Sequence, residues 1–514
     1  MSRASFLLLL VPACLAAAST VAGAQSLEKP PLFEVTLGPE MAPQTGRLLV
    51  VLAPGGSPQP RQWIGRTGAS AVPTLGRDVT ALAPGRSVTL DETSALFPLP
   101  DLRALEPRTY EVQAVLVTNP DLRSPSAPGT LFSRPAAARF EPEGGDIIRL
   151  TLDQQVPAES LPPAEGLLRF VKIRSELLSA FHGRPMYLRA GVILPRGYEQ
   201  EPERRYPLRV RTGGYGARFT AVRRLMRRGH PFRTAWMSDD APRMVLLHLD
   251  GAGPHGDPYQ VNSANNGPYG DAITQELIPH VEARFRGLGR AGSRVLDGSS
   301  TGGWVSLALQ IFYPDFFGGA WASCPDSVDF RAFQLVDIYE DASAYLNERG
   351  EERPSARGLD GQTRFTMRHE LQLENVLGLG DRWSMSGRQW GAWNATYGPR
   401  GPDGLPQPLW DPQTGRIDRG VARQWERYDL RRVLEAGWNE LAPKLRGKLN
   451  IWVGDMDDYF LEDAVVLLDE WLAGRPGLDA RIEYGPGRGH CWTGISQGEL
   501  LREMAAATTA PSSP

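Results

Sequence analysis

The chain has 514 residues, long for one domain and comfortable for two, and 41% of them are hydrophobic, enough to bury large cores. Its net charge of −3 supplies no basic field, which argues against nucleic acid as a partner. Three cysteines are too few for a disulfide framework.

In chain order, Arg3, an apolar run from Phe6 to Ala18 and the A-x-A triplet Ala22-Gly23-Ala24 read as a signal peptide over residues 1–24, cleaved before Gln25. The product is expected to be periplasmic or secreted. No later apolar run approaches the ~20 residues that span a bilayer, so no membrane association is expected after cleavage. Cleavage leaves Cys324 and Cys491, which can pair in an oxidising compartment.

Residues 25–155 hold short β-prone runs, among them Leu32 to Leu37, Arg47 to Leu52 and Tyr110 to Thr118, between Pro/Gly/Ser-rich turns. With almost no helical period, this stretch predicts a small all-β sandwich. It lacks any cluster of His, Cys and carboxylates and is read as an accessory domain that packs against the rest or orients substrate.

A Pro-rich linker opens the second domain, residues 156–505. Phe170 to Pro195 reads as a β-hairpin around a Gly/Arg/Pro turn. Strand and helix patterns then alternate: Tyr206 to Arg211, Phe219 to Arg228, Met244 to Leu249, Ala272 to Phe285, and a strand from Arg294. A helical run to Phe312 and a strand from Gly319 to Ser323 follow. Such alternation implies βαβ units, a mostly parallel sheet with helices on both faces. From about 329 to 445 the chain turns polar and Gly/Pro-rich, with Trp383, Trp390, Trp393, Trp410 and Trp425, and reads as a lid-like insertion. The pattern resumes with a strand at Leu449 to Val453, a helix at Leu461 to Ala473 and a strand at Ala480 to Tyr484.

The segment Val295 to Trp304 contains G-x-S-x-G at Gly298, Ser300 and Gly302, between a β-prone run and a helical one. This is the layout of a nucleophile elbow, whose sharp turn leaves no room for a Cβ two residues before or after the serine. Ser300 meets that condition and the adjacent Ser299 does not. A serine hydroxyl needs a base within reach, and the base needs an acid to orient it. Past the strand ending at Gly454 lie Asp455, Asp457 and Asp458; Asp457 is selected by G-x-x-D spacing, with the other two as alternatives. Past the last strand, His490 sits in the Gly-rich loop Gly485 to Trp492. Order and position together single it out among the seven histidines. For the oxyanion, the amide of Thr301 is one donor, and the loop Thr212-Gly-Gly-Tyr-Gly216 offers Tyr215 or Gly214 as the second.

These motifs resemble the secreted α/β-hydrolase esterases related to enterochelin esterase and S-formylglutathione hydrolase. The resemblance rests on G-S-S-T-G-G (Gly298 to Gly303), Tyr313-Pro-Asp-Phe-Phe317, T-G-G-Y-G (Thr212 to Gly216), G-D-M-D (Gly454 to Asp457) and Gly489-His490. It covers roughly Ala190 to Trp492, without the insertion. It implies an α/β-hydrolase fold, a Ser300–His490–Asp457 triad and carboxylic ester hydrolysis, with no metal or organic cofactor. Two departures stand out. Arg209 and Arg211 occupy a strand that is usually apolar in the family, and Gly213-Gly214 replaces its usual His-Gly. Cys324 ends the strand after the elbow and Cys491 adjoins the base; a disulfide between them would pin the histidine loop, but whether they pair is not legible. The tryptophans suit aromatic or glycan-linked esters, and core packing is an equal explanation for them. A peptidase, an acyltransferase on the same fold, and a catalytically silent polysaccharide-binding protein are the rival readings. Oligomeric state is not legible.

Overall fold

The computed structural model of the chain describes residues 27–56 and 58–509. The signal segment read at residues 1–24 lies outside the described residues. Among them no helix is long and apolar enough to cross a membrane.

Nine strands, from Leu32–Leu37 to Ile147–Gln155, are hydrogen-bonded into one continuous sheet. In the first strand Phe33, Val35 and Leu37 are buried while their neighbours are half-exposed, the period-two signature of a one-sided core. The sheet shares that core across its strands, with Leu48, Val50, Leu52, Val112 and Leu150 on the same side. The strands of the accessory unit are therefore paired along one path and enclose one core. Its other face presents Leu49 and Val115 to Leu373 and Val376 of a helix in the second unit. Arg47 crosses the same boundary and donates to the Val376 carbonyl at 2.8 Å.

The second sheet has eight strands: β1 (Leu168–Ser175), β2 (Met186–Ile193), β3 (Leu208–Thr212), β4 (Val245–Leu249), β5 (Arg294–Ser299), β6 (Ala320–Ser323), β7 (Leu449–Gly454) and β8 (Arg481–Gly485). Their order is β1-β2-β4-β3-β5-β6-β7-β8, with β2 antiparallel to both neighbours and every other pair parallel. This is the α/β-hydrolase arrangement. β4 and β6 are buried along their whole length, as parallel strands covered on both faces must be.

The first two strands are joined by a helix, Glu176–His182, which occupies the end of the first alternating run, ahead of the expected turn at Gly183-Arg-Pro. Ser175 Oγ accepts the Leu178 amide at 3.1 Å, and Gly183 closes the helix at φ 65°, so a cap and a stop suffice for two turns.

Arg209 and Arg211, out of place in a central strand, both pair with Asp297 on the neighbouring β5. Arg209 grips the carboxylate with Nε and Nη2, each at 2.8 Å. Burial alone would raise the Asp297 carboxyl, but the two guanidiniums overcome it and hold it below the ordinary range. The charges therefore clamp the strand that leads into the Thr212–Gly216 loop to the strand that leads into Ser300.

The region 329–445 is a packed helical layer rather than a lid of loops. It includes α2 (Met367–Leu377) and α3 (Gln389–Tyr397), preceded in the chain by α1 (Thr301–Phe312) after the elbow. Trp383, Trp390, Trp393, Trp410 and Trp425 are all buried, and Trp438 is half-buried. Trp383 stacks on Trp410 with centroids 4.8 Å apart, Trp390 meets Trp393 edge-on at 4.7 Å, and Trp393 meets Phe333 at 5.0 Å. Each indole removes a large area from water, so a few aromatics hold together a stretch that is otherwise polar.

Candidate active site

Ser300 sits between β5 and α1 at φ 58°, ψ −126°, a conformation L-residues rarely adopt. The flanking glycines are obligatory. A Cβ on Gly298 would lie 2.1 Å from the Gly302 carbonyl oxygen, and one on Gly302 would lie 2.2 Å from that of Thr212. The elbow is thus pressed directly against the loop after β3. The Ser300 amide donates to the Ser323 carbonyl at 3.0 Å, which ties the turn to β6.

The three aspartates past β7 separate by what they touch. Asp457, fully buried, accepts His490 Nδ1 on Oδ2 at 2.8 Å and the Tyr459 amide on Oδ1 at 2.9 Å. Asp455 accepts the Gly487 amide at 2.6 Å and Asp458 accepts the His490 amide at 3.2 Å. One acid holds the imidazole, and its two neighbours hold the loop that carries it. Burial alone would push the His490 pKa down. The Asp457 hydrogen bond and the charges of Asp457, Asp326 and Asp458 outweigh burial and keep it above its ordinary value.

Cys324 and Cys491 are joined as a disulfide with Cα atoms 4.8 Å apart, linking the end of β6 to the residue after His490. A ring nitrogen of His490 lies within 4.8 Å of both sulfurs, and Cys324 Sγ is 3.3 Å from the Ser300 amide. Base and serine therefore face each other across this bridge. Among the described residues Cys324, His490 and Cys491 are the one group with metal-ligand spacing, but sulfurs bonded to each other offer no thiolate to a metal.

Gly214, Tyr215 and Ala217 line the same cavity as Ser300 and His490. Among the described residues the amides of Gly214 and Tyr215 donate to nothing, whereas that of Gly216 is held by Asp257 Oδ2 at 3.0 Å. Thr301 opens α1, where an N–H has no partner inside the helix. Three backbone N–H groups near the serine thus have no acceptor among the described residues.

One participant escaped the sequence reading. Ser300 Oγ donates to Asp326 Oδ1 at 3.3 Å, so in this structure the hydroxyl is turned to Asp326 and not to the imidazole. The buried Asp326 Oδ2 accepts Tyr259 Oη at 2.7 Å, Trp393 Nε1 at 3.1 Å, Thr301 Oγ1 at 3.2 Å and Gln389 Nε2 at 3.4 Å. Burial pushes its carboxyl up, and these donors with His490 oppose the shift without cancelling it. Asp326 stands just past β6, the strand-end position that singled out Asp457; that rule, applied to β6, would have found it. The cavity encloses about 440 Å³, and Trp390, Trp393, Gln389 and Glu370 form its far wall.

Residues 183–429 match the Esterase family, described as "Putative esterase"; the match includes Ser300 and ends before Asp457 and His490. No curated protein matches the chain. Among solved structures the chain is similar to a ferulic acid esterase at 14% identity, covering 66% of this chain and 97% of that one, TM-score 0.41. It is similar to an S-formylglutathione hydrolase from Agrobacterium tumefaciens at 13% identity, covering 68% and 98%, TM-score 0.38. A third, the fluorophosphonate-binding serine hydrolase F of Staphylococcus aureus, is 14% identical over 67% of this chain and 100% of its own, TM-score 0.38.

Proposed function

We propose that this chain, a carboxylic ester hydrolase matching the esterase family over residues 183–429, is an exported enzyme that uses Ser300 as nucleophile, His490 as base and Asp457 as orienting acid. The observation that carries this reading is the 2.8 Å bond from His490 Nδ1 to buried Asp457, beside a serine held at φ 58° on the elbow. With Nδ1 committed to Asp457, Nε2 is the nitrogen free to take a proton. Rotation about the Ser300 Cα–Cβ bond turns the hydroxyl from Asp326 toward that nitrogen. His490 then removes the proton as Oγ attacks the ester carbonyl, and Asp457 stabilises the imidazolium. The amides of Thr301 and of Tyr215 or Gly214 receive the oxyanion. The imidazolium protonates the departing alcohol, water attacks the acyl-enzyme, and the carboxylic acid leaves.

The aromatic wall of Trp390 and Trp393, with Glu370 and Gln389 as hydrogen-bonding groups, supports esters that carry an aromatic ring or a sugar. The signal segment at residues 1–24 and the Cys324–Cys491 disulfide both fit an oxidising compartment. Ser300→Ala is expected to reduce turnover of p-nitrophenyl acetate to background while circular dichroism stays unchanged. Retention of wild-type turnover by that variant would overturn the reading.

A further inference from the structure

A second cavity, about 880 Å³, lies where the N-terminal sheet meets the hydrolase unit. Leu49 and Ile64 of the N-terminal unit and Leu377 and Leu405 of the 329–445 region give it apolar walls. Its charges are unevenly settled. Of the five arginines that reach it, Arg47 is paired with Asp78 and Asp381, Arg218 with Asp250 and Glu159, and Arg382 with Asp403. The aspartates on its walls are engaged as well: Asp78 by Arg47 and the Gly380 amide, Asp257 by the amides of Gly216 and Tyr259, Asp403 by Arg382.

Arg123 and Arg388 are left over. Neither has a carboxylate partner among the described residues. Arg123 donates only to the carbonyls of Pro254 and Met385, at 2.8 and 3.3 Å, and Arg388 Nη2 to that of Gly65 at 3.2 Å. A guanidinium carries five N–H donors in a planar fork that matches a carboxylate, so both retain donors for a ligand. They come from different units yet start side by side: a Cβ on Gly387, the residue before Arg388, would lie 2.4 Å from Arg123 Cβ. The carbonyl of that same Gly387 accepts Tyr215 Oη at 2.8 Å, so the pair sits behind the loop that faces Ser300.

We infer that this cleft binds an organic carboxylate with an apolar body, its carboxylate held by Arg123 and Arg388 and its body laid against Leu49, Ile64 and Leu377. Clefts between domains that combine apolar walls with a few convergent polar groups are the usual form of small-molecule sites, and a carboxylate shared by two guanidiniums is strongly charge-assisted.

Titration calorimetry of the full chain with cinnamate, cinnamamide and galacturonate tests this, with Ser300 first blocked by a fluorophosphonate to close the ester site. Cinnamate is expected to bind, and cinnamamide and galacturonate to bind at least tenfold more weakly. Arg388→Gln, on an exposed side chain, is expected to weaken cinnamate at least tenfold and to leave p-nitrophenyl acetate turnover within about twofold of wild type; Arg123→Gln is the second variant. Absence of cinnamate binding, equal binding of the amide or the sugar acid, or affinity unchanged in both variants would overturn the inference. If Ser300 does not label, it is the esterase reading that fails, and the comparison of Arg388→Gln with wild type still reports on the cleft.

Discussion

The two walls of the ester site are held in place by different physics. The wall that carries Ser300, Asp457 and His490 is made of loops just past β5, β7 and β8, and the register of a parallel sheet brings them together whatever lies between them in the chain. The facing wall, with Glu370, Gln389, Trp390 and Trp393, belongs to helices that no strand register positions. Aromatic packing sets it, together with buried Glu374, which accepts the amides of Trp390 and Gly391 at 3.0 Å and Ser386 Oγ at 2.7 Å. Burial pushes the Glu374 carboxyl up to about 8, so near neutrality this brace is largely protonated. The proposed reacting groups are thus placed by strand register, and the opposite side of the cavity by side-chain packing.

Four perturbations put that contrast to the test. The largest effect is expected from Asp457→Asn on the sheet wall, a fall in kcat on the order of 10³–10⁴-fold in p-nitrophenyl ester assays, as loss of an orienting acid gives in Ser-His-Asp enzymes. Asp455→Asn and Asp458→Asn should each fall by less than about tenfold, because they hold backbone rather than imidazole. Equal losses at all three would erase the distinction. Next comes Arg209→Leu, which removes the two-point grip on Asp297 and leaves that carboxylate to Arg211 alone; unfolding in urea should show a loss of about 1.5–3 kcal/mol. A loss below 1 kcal/mol would mean that the clamp between β3 and β5 is ornamental.

On the other wall, Glu370→Gln should change KM for bulky aryl esters by about tenfold and leave kcat for the acetate ester close to wild type; a matching change for both esters would deny the wall a separate role. The smallest effect joins the walls through Asp326. His490 must be neutral to act as base, and its pKa is held above the ordinary value of about 6.5. The acid limb of kcat/KM should therefore lie above that value and rise with pH. Asp326→Asn removes one of the charges that hold it there, so the limb should move to lower pH; a limb that stays in place would show that Asp326 does not act on the base.

The sheet wall was legible because its rules are local. Glycines at 298 and 302 cannot be replaced beside Ser300, and strand ends announce where an acid or base can stand. Even there the charged strand was misleading, since Arg209 and Arg211 make sense only once Asp297 is known to lie on the adjacent β5. Asp326 was hidden because Cys-Pro-Asp reads as a turn, and its meaning depends on donors from Tyr259, Trp393 and Gln389, far apart in the chain. The helices of 329–445 were unreadable for a similar reason. Their polar, Gly-rich sequence has weak periodicity, and the tryptophans that stabilise them meet only in three dimensions. The cleft between the two units could not be read either, since each contributes half of it.

The place of β8 has a consequence for how the protein loses function. It is one of the sheet's two edge strands, paired only with β7 and half-exposed over most of its length, and it leads directly into the loop of His490. Fraying at this rim of the sheet would loosen the strand that leads into the loop, and the Cys324–Cys491 bridge is what then keeps His490 beside Ser300. Once that bridge is reduced, heat acting at the same rim would displace His490 while the other strands stay paired. A newly made chain, for its part, has no assembled site until its final strand is laid down.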